Sequence, residues 1–150
     1  MDYADTITTE RVKRVIDGYG EGKKAVEGTG GSFSYYELGE PLMVDDNLNP
    51  GVSVDRVREY IWFTETGESF TAPTVKGQPY FLGFTHHTAY HFLYEPEQAM
   101  TLDYRFLSTL TQETVSDQQV VYADACLLSE QELCRFNITF KKIPRDITHL

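Results

Sequence analysis

The stretch from Val120 to Ile143, VVYADACLLSEQELCRFNITFKKI, constrains the fold of this chain more than any other. Val120 to Ala125 reads as a strand, Ser129 to Phe136 as a helix and Ile138 to Ile143 as a second strand. Ser129 and Glu132 have the spacing of a capping box, in which a serine hydroxyl and a glutamate carboxylate satisfy each other's backbone amides. Leu128 and Leu133 stand where a hydrophobic staple would fix the entry of the chain, and Asn137 suits the left-handed stop. A helix between two strands makes them parallel, and the handedness rule makes the βαβ unit right-handed.

The other segments can be read against that unit. Ser53 caps a helix to about Thr64, with Val54, Val57, Ile61 and Trp62 on one face and Gly67 as the stop. Tyr80 to Tyr94 is strongly apolar and splits into a hairpin around Thr85 to Thr88, placed centrally because both faces carry bulky groups. Ala99 to Leu102 reads as a short strand, and Asp103 as the cap of a helix through Phe106, Leu107 and Leu110. Thr8 to Asp17 reads as a short amphipathic helix with Val12, Val15 and Ile16 as its stripe. Two or three turns do not persist alone in water, so this helix needs a surface to pack on. Gly18 to Gly31 reads as an exposed linker, and Ser32 to Leu38 as an aromatic strand. The expected architecture is α/β, with α+β as the alternative. It comprises a mixed sheet, the C-terminal βαβ unit, a central hairpin and two or three packing helices.

Composition removes several functional classes. The chain has 150 residues, enough for one domain with an appendage, and its ten tyrosines and nine phenylalanines supply large side chains for a core. Cys126 and Cys134 are too few for a disulfide framework and read as reduced, buried thiols. A net charge of -10 argues against a direct grip on a nucleic-acid backbone. No run reaches the roughly 18 apolar residues of a membrane span, and no signal peptide is evident, so the expected location is cytoplasmic.

Three groups of residues invite chemistry. Gly28, Thr29, Gly30 and Gly31 resemble a phosphate loop, but they follow a linker and precede a strand, whereas anion loops follow a strand and open a helix. They read better as a flexible joint. His86, His87 and His91 offer a pair of zinc ligands without a completing third, and read as surface or interface histidines. Cys126 or Cys134 with His91 could be named as a thiol centre, yet no nucleophile signature surrounds them. Asn137-Ile138-Thr139 matches a glycosylation sequon that a cytoplasmic chain would not use.

Four stretches carry a family resemblance: DYADTITTERVKRVIDG at Asp2 to Gly18, GTGGSFSYYELGEPL at Gly28 to Leu42, LDYRFLSTL at Leu102 to Leu110, and YADACLLSEQELCRFNITFKKIPRDI at Tyr122 to Ile147. In that order they resemble the C-terminal portion of the Mod subunit of type III restriction-modification systems, a site-specific adenine DNA methyltransferase. The resemblance implies S-adenosylmethionine as cofactor of the complete enzyme, N6-adenine of a flipped base as target, a Mod homodimer, and a Res subunit as partner. DNA would be met through the complete enzyme. It also implies an Asp-Pro-Pro-Tyr type loop and a Phe-x-Gly-x-Gly type loop, and neither stands in this sequence. Phe81-Leu82-Gly83-Phe84 begins like the second and lacks its second glycine.

The resemblance therefore implies no catalytic, cofactor-binding or metal residue here, although Asp2 and Asp5 would lie near the cofactor edge of an intact enzyme. Residues 1–19 would be a terminal helix of the methyltransferase domain, 20–31 a glycine-rich linker and 32–150 an α/β assembly domain, with the chain cut just after a cofactor-side strand. Two alternatives stay open. One is a free-standing acidic protein that mimics this domain, and the other is a small metal- or thiol-dependent enzyme.

Overall fold

The computed structural model describes residues 4–33 and 38–148, with only the backbone of Ala4, Asp5, Arg145 and Thr148. The chain divides into two compact units, Met1–Gly39 and Glu40–Leu150.

In the first unit a π-helical turn, Ala4–Thr8, leads into α1, Thr9–Asp17. Glu10 and Arg14 pair one turn apart at 3.2 Å, which supports the exposed face. The segment expected as an open linker is built. β1, Gly18–Tyr19, pairs antiparallel with β2, Val26–Glu27, across a 3-10 turn at Gly22–Lys24. The chain then returns to the helix end, where the amides of Thr29 and Gly30 donate to the carbonyls of Val15 and Ile16 at 2.9 and 3.1 Å. These are carbonyls a helix terminus leaves unpaired. Gly28 permits the approach, since a Cβ there would lie 2.1 Å from the Ile16 carbonyl oxygen. The strand expected over Ser32 to Leu38 cannot be compared, because residues 34–37 lie outside the described residues.

The second unit is α/β around a mixed sheet. A small ribbon of β3, Met43–Val44, and β4, Asn47–Leu48, precedes α2, Val54–Thr66. Ser53 caps α2 by accepting from the Arg56 amide, and Gly67 ends it at φ 73°. β5, Phe81–Thr85, turns back into β6, Thr88–Phe92, through His86 and His87 at φ 46° and 66°. Positive φ at both turn residues matches the twist of a two-residue hairpin. β7, Thr101–Leu102, leads to α3, Tyr104–Thr109, whose Asp103 cap accepts from the Phe106 amide at 2.9 Å. β8, Gln118–Ala123, β9, Ala125–Cys126, α4, Glu130–Arg135, β10, Ile138–Lys142, and α5, Arg145–Thr148, complete the unit.

The main sheet has the order β10-β8-β6-β5. β10 and β6 both run parallel to β8, and only the β5 edge is antiparallel. β6 is thus central, while its hairpin partner is at the rim. β7 and β9 form a separate parallel pair. The expected βαβ unit is present, with both halves of the capping box on Ser129 and Glu132. Leu128 is buried and Leu133 packs against the same cluster, as a staple requires.

Strand alternation divides the core between the two sheet faces. Tyr90, Phe92, Val120 and Tyr122 join Val57, Ile61 and Trp62 of α2 and Ile147 of α5. Val121 and Ala123 join Phe106 of α3, Leu128 and Ile138 on the other side. Helices cover both faces, as a sheet with parallel strands needs. Gly83 lets the Trp62 ring lie against the β5 backbone, because a Cβ there would meet that ring at 2.7 Å.

Candidate functional site

The second unit leaves an apolar groove of about 420 Å³ beside α3. Tyr104, Leu107 and Leu110 form one wall, Val115 another, and Phe136 with Ile138 closes the α4–β10 end. Asp103 and Ser129 decide this geometry, because their caps start the helices that project Tyr104 and end near Phe136. Tyr104 is 56% exposed, Val115 48% and Phe136 39%, so the groove displays large apolar side chains instead of covering them. The Tyr104 and Phe136 rings meet edge-on at 6.4 Å, with the Arg135 guanidinium 5.7 Å from the Phe136 centroid. At the rim the Tyr104 hydroxyl donates to Glu132. That bond, with the amide and hydroxyl of Ser129, holds the Glu132 carboxyl down to about 2.

Behind the groove floor lies His91, fully buried between the rings of Phe81 and Phe106. The expectation of a surface or interface histidine fails here because β6 is central and His91 faces inward. Its Nε2 is 2.9 Å from the Gln119 Oε1, and among the described residues Nδ1 makes no well-formed hydrogen bond. Burial pushes its pKa down to about 4, outweighing the opposite pull of Gln119 and of the Thr114 backbone. A neutral imidazole in this position fills space and fixes Gln119. His86 and His87 sit instead at the exposed hairpin turn, where His87 Nδ1 is 3.5 Å from Asp117. The three histidines do not converge, and among the described residues no three His, Cys, Asp or Glu side chains gather as metal ligands.

A polar cluster that sequence reading missed joins α2 to the sheet. The Tyr122 hydroxyl donates to Glu65 at 2.5 Å, Lys141 pairs with the same carboxylate oxygen, and the Lys141 ammonium lies 5.4 Å from the Tyr122 ring centroid. Burial, then the hydrogen bond to Glu65, pushes the Tyr122 pKa well up, so the phenol stays protonated. Every charge here has its opposite in contact, which suits holding layers together better than proton transfer. The single sequence clue was a glutamate near the end of an otherwise apolar helix face.

The remaining sequence candidates separate in space or in role. The amides of Thr29 and Gly30 are already bonded to α1, so they do not cradle an anion. Phe81 to Phe84 is the edge strand β5 with Trp62 seated on Gly83, and this does not fit a loop that receives S-adenosylmethionine. The thiols expected to be buried are not: Cys126 is half-buried and Cys134 exposed, because α4 packs its partly buried Leu133 against the core and turns the next residue outward. Asp2 and the side chain of Asp5 lie outside the described residues. No family model, curated protein or solved structure matches the chain. Among the described residues no helix is long and apolar enough to cross a membrane.

Proposed function

We propose that this chain is a C-terminal, non-catalytic assembly region of a type III restriction-modification adenine methyltransferase, acting in the cytoplasm. In the complete protein, N6-adenine methylation with S-adenosylmethionine would belong to the catalytic domain. This region would serve the contacts of Mod with itself and with Res, or support DNA recognition. The reading rests on the four sequence stretches given above. The observation that carries it is α1, whose apolar stripe of Val12, Val15 and Ile16 includes no buried residue. A nine-residue helix whose apolar stripe is only partly covered gains its stability from packing on another surface. The resemblance supplies that surface in the methyltransferase sheet.

Labelled S-adenosylmethionine and adenine-containing duplex test the non-catalytic part. The chain alone should transfer no methyl group, and turnover by the chain alone would overturn the proposal. In a complete enzyme, Val12→Asp with Val15→Asp should expose the catalytic domain to limited proteolysis. Unchanged digestion would remove the role given to α1.

A further inference from the structure

We infer that the groove beside α3 is a binding site for a neutral, flat aromatic ligand that presents a carbonyl oxygen to Gln119. Strand alternation puts Gln119 on the sheet face of Val121 and Ala123, and it lines the groove although the residue is only 4% exposed. Its partners assign both ends of its amide. The Ser116 carbonyl can only accept, so the atom 3.0 Å from it is the amide nitrogen, and the oxygen therefore faces His91 at 2.9 Å. An amide nitrogen carries two hydrogens. Ser116 takes one, and among the described residues nothing takes the other. A buried donor without an acceptor is costly, and an acceptor on a ligand would relieve that cost. The amide cannot turn over to offer its oxygen instead, because His91 and Ser116 hold its two ends.

The ligand class follows from the lining. None of the lining residues is Asp, Glu, Lys, Arg or His, so a charged ligand would give up its water there and find no counter-charge. Tyr104, Leu107, Val115 and Phe136 offer aromatic and branched aliphatic surface, which suits a flat apolar body. The volume of about 420 Å³ belongs with small-molecule sites, in which an apolar lining surrounds a few placed polar groups. A peptide backbone fits this floor less well. It brings an N–H with every carbonyl, and the Gln119 and Ser116 oxygens already have donors. The inference goes beyond the assembly reading and stands apart from it.

Amide NMR of the full, isotope-labelled chain tests it, with acetophenone as the probe and ethylbenzene as a similar shape without the carbonyl. Acetophenone should move the side-chain amide signal of Gln119 together with the backbone signals of Leu107, Val115 and Phe136. It should bind roughly threefold to tenfold more tightly than ethylbenzene, the range that one net hydrogen bond gives. Gln119→Met should bind the two compounds alike, and Val115→Asp should weaken both by roughly tenfold or more. Far-UV circular dichroism confirms that each variant is folded. Should Gln119→Met unfold because His91 loses its partner, the two ligands on the wild type and on Val115→Asp decide the matter. Acetophenone that leaves these signals in place at millimolar concentration, or ethylbenzene that binds the wild type as tightly as acetophenone, would overturn the inference.

Discussion

Gly83→Ala tests the packing that joins α2 to the sheet. The new methyl group would stand 2.7 Å from the Trp62 ring, at a backbone φ of +149° that side chains rarely adopt. Held backbone strain of this kind costs about 1–3 kcal/mol, and forcing an extra carbon into a packed core costs about as much again. The sum, roughly 2–6 kcal/mol, is a large part of the 5–15 kcal/mol that stabilises an ordinary domain. Trp62 is the only tryptophan, so its fluorescence reports urea unfolding at the contact itself. The midpoint should fall while the slope with urea is unchanged. Trp62→Ala alone should cost about 3–5 kcal/mol, followed by circular dichroism because the fluorophore is gone. In that background Gly83→Ala should keep only its backbone cost, leaving a coupling of about 1–3 kcal/mol between the two positions. A single Gly83→Ala effect within about 0.5 kcal/mol, or strict additivity in the double variant, would refute the reasoning.

Other perturbations read other parts of the fold. The folded pKa of His91 is lowered from 6.5 to about 4, so the unfolded chain binds the extra proton below pH 6.5. The stability that depends on neutral His91 is therefore complete above that pH and declines by about 3 kcal/mol on acidification to pH 4. Urea titrations of the wild type and His91→Leu should lose their difference in slope outside this window, and equal pH profiles would exclude the effect. Lys141→Met leaves Glu65 with Tyr122 but no counter-charge, and should cost roughly 1–3 kcal/mol given the partial exposure of the pair. Adding Glu65→Gln should restore much of it in thermal unfolding, and a double variant no more stable than Lys141→Met would contradict the account. Gly28→Ala should separate the Thr29 and Gly30 amides from α1, seen as faster amide exchange in residues 9–17 with the main sheet unaffected. Unchanged exchange there would show that the return is unimportant.

Features written within a few neighbouring residues were legible in the sequence. Ser53, Asp103 and Ser129 were expected to cap the helices they do cap, since each cap is a hydrogen bond across three residues. The apolar face of α2 and the hairpin about His86 and His87 were equally local. What remained hidden depends on partners far apart in the chain. Lys141 and Glu65 meet across 76 positions, and nothing near either one announces the other. His91 looked like its two neighbours, but its place in β6, flanked by β5 and β8, is fixed by a pairing with Gln118 to Tyr122 that periodicity does not reveal. Gly28 looked like flexibility, and its actual role is to let two backbones touch. The groove was similarly concealed, because Val115 and Phe136 come together in its lining only through tertiary folding.

The central claim, an assembly role with the subunits of a type III restriction-modification enzyme, is tested most directly by immobilising this chain and passing full-length Mod and Res over it separately and together. The account predicts retention of at least one subunit, reduced by excess free chain. Passage of both without retention, in a chain shown to be folded, would contradict it.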